Sequence, residues 1–111
     1  MERIVKYQKT INAIFDEYAN YPHTPDGVRY EKIMDTKNNR FQLLRLGWKG
    51  VKRVYAIIFH VDIINEKIWI QEDNTEIAIA NLLTEKGIQK SEIVLAYFSE
   101  QKRKHTEFAV A

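Results

Sequence analysis

The chain has 111 residues, 45% of them hydrophobic, with 17 Lys and Arg against 15 Asp and Glu for a net charge of +2. The size and composition fit one globular domain with a core of its own. The absence of cysteine excludes disulfides and thiol catalysis, no apolar run approaches the ~20 residues of a membrane span, and the balanced charge does not by itself mark a nucleic-acid footprint.

Ile4, Tyr7, Ile11, Ile14, Phe15 and Tyr18 recur at three- and four-residue spacing and predict an amphipathic helix over residues 3 to 19. Met1-Glu2-Arg3-Ile4 opens into that helix without an apolar signal-peptide core, so a reducing cytoplasm is the expected location. Asn20 to Gly27, with both prolines of the chain, reads as a loop. The period then becomes two and predicts four strands near 28–35, 40–48, 53–63 and 67–71. Their short connections make hairpins, hence an antiparallel meander.

Asp73, with Glu76 three residues on, predicts a capped start for a second helix carrying Ile77, Ile79, Ala80, Leu82 and Leu83. Gly87 is placed as its left-handed stop. Ile93 to Phe98 predicts a fifth strand, and a polar run from Ser99 leads to the apolar end Phe108-Ala109-Val110-Ala111. The expected fold is α+β: an N-terminal helix, a four-stranded antiparallel meander, a second helix, a fifth strand and a C-terminal tail.

A two-residue loop at Asn65-Glu66 sets a register. Ile63 then faces Ile68, Val61 faces Ile70, Asp62 faces Trp69 and His60 faces Gln71. One sheet face, with Ile63, Ile68, Val61 and Ile70 continued by Phe59, Ile57 and Tyr55, reads as core and expects the helices. The other mixes His60, Asp62, Trp69 and Gln71 with Ile58. Phe41 and Leu43 join it if the preceding hairpin loop has an even number of residues. Two helices do not suffice for two apolar faces when both sit on the first. That predicts cover from another chain, most simply a homodimer, or else one helix on each face.

His60 and Asp62 share a face of one strand and could seed a metal site or an acid–base dyad. Gln71 is a poor third ligand and His23 and His105 lie in distant loops, so a His–Asp hydrogen bond within a polar patch or interface is the expectation. Asp73 and Glu76 are explained by helix capping. Trp48, beside a turn, expects half-exposure. Lys102, Arg103 and Lys104 form a basic run that could contact phosphates, as could the loop with Arg29 and Lys32. No phosphate loop, nucleophile elbow or CxxC is present. No cofactor is expected.

Several stretches together resemble one family. They are Gly47-Trp48 followed by Arg53-Val54-Tyr55; His60-Val61-Asp62-Ile63; Lys67-Ile68-Trp69-Ile70-Gln71 with Asp73, Thr75-Glu76 and Ile79-Ala80; and Gly87, Lys90, Glu92-Ile93-Val94-Leu95 and Phe108-Ala109-Val110-Ala111. In order and spacing they resemble the XisI family, the fdxN-element excision controlling factors of cyanobacteria. Ala56 and Glu107 stand where that family has glycine, and Gln89 where it has proline. The resemblance implies a non-enzymatic accessory role in programmed DNA excision beside an XisH-like partner and a separate recombinase. It brings no catalytic residues.

Overall fold

The computed structural model describes residues 2–20 and 27–111. The loop expected around the prolines and His23 therefore lies mostly outside the described residues. Helix α1 spans Glu2–Ala19, and its stripe buries Tyr7, Ile11, Ile14 and Phe15. Strands β1 (Val28–Asp35), β2 (Arg40–Lys49), β3 (Lys52–Ile64) and β4 (Lys67–Asp73) follow as an antiparallel meander. Helix α2 (Ile79–Glu85) then leads to β5 (Ile93–Leu95), which pairs parallel to β4. A parallel neighbour cannot be reached by a tight turn, and α2 supplies the crossover. The sheet order is β1-β2-β3-β4-β5. A four-residue helix, α3 (Glu100–Arg103), sits in the C-terminal segment that had read as loop.

Local chemistry fixes the connections. Asn65 and Glu66 both take positive φ, 50° and 59°, the backbone of a two-residue hairpin turn. Between β1 and β2 the Asp35 carboxylate accepts from the Lys37 and Asn38 amides and the Asn38 side chain. Those bonds, led by the Asn38 side chain, hold its pKa below the ordinary carboxylate value. Gly47 has φ 144°, and a Cβ there would lie 2.0 Å from the Gly27 carbonyl oxygen and 2.9 Å from Val28 Cα. A side chain at either residue would push β1 off β2, since a Cβ on Gly27 would meet the Trp48 carbonyl at 2.5 Å.

Helix α2 starts later than expected, at Ile79, after Ala78 in a positive-φ conformation. Asp73 still caps it, over a longer reach. Its Oδ2 accepts from the Ile79 amide at 2.7 Å while Oδ1 accepts from the Thr75 amide and hydroxyl. Gly87 ends the helix at φ 96°, and the Ile88 amide donates to the Leu83 carbonyl.

Both helices pack on one sheet face. Phe15 stacks on Phe59 at 5.8 Å, and Ile79, Leu83 and Ile88 join the same cluster as Ile63, Ile68 and Ile70. At each fully buried aliphatic or phenyl side chain the transfer from water contributes about 1.5–3 kcal/mol. Tyr7 reaches from α1 to the far end of the sheet, donating to the Glu66 carbonyl and to Glu92 Oε2. Burial, then the Glu92 hydrogen bond and charge, raise the Tyr7 pKa above its ordinary value.

Two bulges alter the register. The β2–β3 turn has two residues, Gly50-Val51, as the even-loop condition required. Yet an extra residue at Ile58 shifts the pairing, so Leu43 faces Phe59 and Phe41 faces Val61. Phe41, Leu43 and Ile58 therefore lie in the helix-covered core and not on the second face. The other bulge is at Gln71: His60 pairs with Glu72, not Gln71, while Val61–Ile70, Asp62–Trp69 and Ile63–Ile68 pair as expected.

Strand β3 outruns β4. Their pairing ends at Phe59–Asp73, and Asn74 closes the edge by donating from its amide to the Ile58 carbonyl and from Nδ2 to the Ile57 carbonyl. Beyond that point β1, β2 and β3 continue as a three-stranded arm that ends at the Gly50-Val51 turn.

Candidate functional site

On the second face, Asp62 is 6% exposed and is the buried charged residue of the described part of the chain. It is held by three neighbours. His60 Nε2 lies 3.1 Å from Oδ1, Gln71 Nε2 donates to Oδ2 at 3.2 Å, and Arg40 Nε stands 3.8 Å away. The sequence brought His60, Asp62 and Gln71 together, and the structure places them in contact. These contacts give each carboxylate oxygen a partner and orient the imidazole. Among the described residues no group of three His, Asp or Glu side chains could hold a metal ion. The carboxylate and the imidazole are already bonded to each other.

Trp69 lies beside Asp62 on this face and is roofed by the chain's own C-terminal segment. The Arg103 guanidinium sits 5.5 Å from the indole centroid. Arg103 also ties the segment down: Nε donates to the Leu95 and Phe98 carbonyls and Nη1 to the Val110 carbonyl. Ala109 bridges Val94, which is wholly buried yet outside the helix-covered cluster. Lys67 Nζ reaches the Ala111 carbonyl oxygen. This strap covers the β4–β5 half of the second face, where the sequence predicts cover from another chain or from one of the two helices. The Trp69 indole N–H is buried under it with no acceptor among the described residues.

The β1–β3 half of the face has no such roof among the described residues. It carries Ile33, Leu44, Leu46, Tyr55 and Ile57, with Trp48 near the turn, and of these Leu44 is 5% exposed whereas Trp48 is 53% and Tyr55 62% exposed. Arg53 lies between the two rings, 5.5 Å from the Trp48 centroid and 5.9 Å from that of Tyr55. The half-exposure expected of Trp48 is observed. Alternation continued from Phe59 predicts Ile57 and Tyr55 on the helix-covered face, but the extra residue at Ile58 turns them onto this one, and the role of Arg53 was not read from the sequence.

The other candidates disperse. Of the C-terminal basic run, Arg103 is committed to the strap and Lys102 lies over the Phe98 ring at 4.4 Å, leaving Lys104 exposed beside them. Arg29 and Lys32 sit on strand β1, not in a loop. Lys32 donates to Asn12 and Asp16 on α1, and Arg29 pairs with Glu31 at 3.8 Å. No helix among the described residues is long and apolar enough to cross a membrane.

A mixed five-stranded sheet with two helices on one face and a strap on the other defines an α+β protein with a half-covered second face. The XisI protein family model matches residues 1–110, and the chain belongs to the XisI family. The crystal structure of a XisI-like protein from Anabaena variabilis superposes with a TM-score of 0.91 at 33% identity, covering 97% of this chain and 99% of that one. The structure of the fdxN element excision controlling factor XisI from Anabaena variabilis gives 0.82 at 37% identity, covering 98% and 99%. No curated protein matches significantly.

Proposed function

We propose that this chain is a non-enzymatic accessory factor that controls excision of a DNA element through protein contacts, with an XisH-like protein as partner. The observation that carries this reading is its 37% identity, over nearly the whole of both chains, to a protein named as an excision controlling factor. Two features of the molecule support it. The His60–Asp62–Gln71 cluster is knit by hydrogen bonds between its own side chains, as a structural polar patch would be. The open half of the second face, with His60 and Gln71 at its border and the strap-covered Trp69 behind them, offers apolar area a partner can bury. A cytoplasmic setting accords with a cysteine-free chain.

The test is mass by light scattering after size exclusion, with the chain alone and with an XisH-like protein. A stable mixed complex is the expected result. A homodimer, the occupant expected from the sequence, is read in the same experiment. A strict monomer that ignores the partner overturns the proposal. His60→Ala separates binding from catalysis: it should weaken assembly, whereas loss of excision with assembly and fold intact would favour chemistry at His60.

A further inference from the structure

Charge is unevenly distributed along this chain. Residues 36–61 hold six of the 17 Lys and Arg and no Asp or Glu, so that stretch carries +6, and the rest, with 11 basic against 15 acidic residues, carries −4. The basic stretch is β2, its turn and most of β3. Its outer end is the arm. Lys49 faces Lys52 directly across the Gly50-Val51 turn. Like charges opposite each other destabilise a hairpin. Neither these lysines nor Arg53 forms an ion pair with any described residue. Arg53 instead donates to the Gly47 carbonyl and holds the Trp48 and Tyr55 rings on either side of itself, each more than half exposed.

From this arrangement we infer that the arm binds single-stranded nucleic acid passing over its tip, with Arg53 on a phosphate beside the outer faces of Trp48 and Tyr55, which stack on bases, and with Lys49 and Lys52 meeting phosphates from the other side of the ribbon. The charge calls for an anion, and a second copy of the chain would bring the same positive surface against itself. The rings narrow the choice. Each nucleotide of a single strand offers a phosphate beside a free π-face, and stacking on aromatics is sequence-tolerant. In a duplex the base faces are already stacked on one another, which would leave the two rings unused. The inference stands on the chemistry of the arm, whose two rings border the apolar area proposed for a protein partner.

Fluorescence anisotropy of a labelled oligo(dT) of about 16 nucleotides, within the usual span of a single-strand site, tests it with the full chain. The expected result is binding that weakens with salt at a log–log slope of about −0.7 per phosphate neutralised. Replacing Lys49→Gln and Lys52→Gln together should make that slope shallower by about 1.4. Trp48→Ala should weaken binding about tenfold and leave the slope unchanged. Both variants alter exposed groups, and unchanged circular dichroism melts establish that they fold. Binding to an XisH-like protein should survive the double lysine variant, whose residues lie at the tip of the arm outside the apolar area, and this separates the phosphate contacts from the protein interface. No anisotropy change at low salt overturns the inference. So does equal affinity for a blunt duplex with Trp48→Ala silent, or competition by polyglutamate matching that of oligo(dT).

Discussion

Gly47 and Tyr7 show how single residues set the limits of this fold. At Gly47 a Cβ would sit 2.0 Å from a backbone oxygen, and the φ of 144° disfavours any side chain even before that clash. Neither obstacle can be relieved by a rotamer change. Gly47→Ala should destabilise the protein by about 2 kcal/mol or more, read as a lower urea midpoint at unchanged slope. At the opposite end of the sheet, burial raises the Glu92 pKa, but the Tyr7 hydroxyl, the Gln89 amide and the Arg3 and Lys6 charges outweigh it and hold it below the ordinary 4.5. A carboxyl whose folded pKa is depressed contributes stability that is present above its unfolded value and is lost as pH falls through the folded one. Tyr7→Phe removes one of the lowering groups. The mutant should lose stability relative to wild type at neutral pH, and the gap should narrow as pH falls below 4.5. Denaturation midpoints across the acid range check this.

At the scale of elements, the two helices, the meander and the Asn65-Glu66 register were legible because each rests on local periodicity or turn chemistry. The bulges were not. An extra residue at Ile58 sits in the run Ile57-Ile58-Phe59, where consecutive apolar residues conceal a change of face. Alternation alone therefore put Phe41 and Leu43 on the wrong side. The His60–Asp62–Trp69 grouping survived because the Gln71 bulge lies just beyond it. The strap escaped notice for another reason. Arg103 reads as a solvated charge in a polar run, yet its planar fork binds three carbonyl groups and covers an indole. Arg103→Ala should cost about 2–3 kcal/mol and shift Trp69 emission to the red, since charged hydrogen bonds of this kind are each worth about 1.5–3 kcal/mol before compensation by water. Arg103→Lys should recover little of the loss, because an ammonium cannot reproduce the fork. Emission spectra of a Trp48→Phe background isolate the signal.

At the scale of the molecule, the described helices, sheet and strap leave a broad apolar area uncovered on the β1–β3 half of the second face. A charge placed on it should interfere with association and spare the fold. Ile33→Lys, at a position 43% exposed, should move the thermal midpoint by no more than a few degrees and weaken capture of an XisH-like protein at least about tenfold. Unchanged capture would place the interface elsewhere. The net charge of +2 concealed the basic character of this region because an acidic remainder cancels it; charge counted by segment exposes it. The arm has one more consequence. Past Asn74 the outer edge of β3, from Lys52 to Ala56, has no hydrogen-bonded neighbour among the described residues. An unpaired edge invites strand addition by a stray chain, and Lys52 and Arg53 sit where they discourage it by desolvation cost and mutual repulsion. The same two cations would thus serve as guards against aggregation, and a variant carrying threonine at both positions is expected to accumulate fibrillar or swapped species on storage.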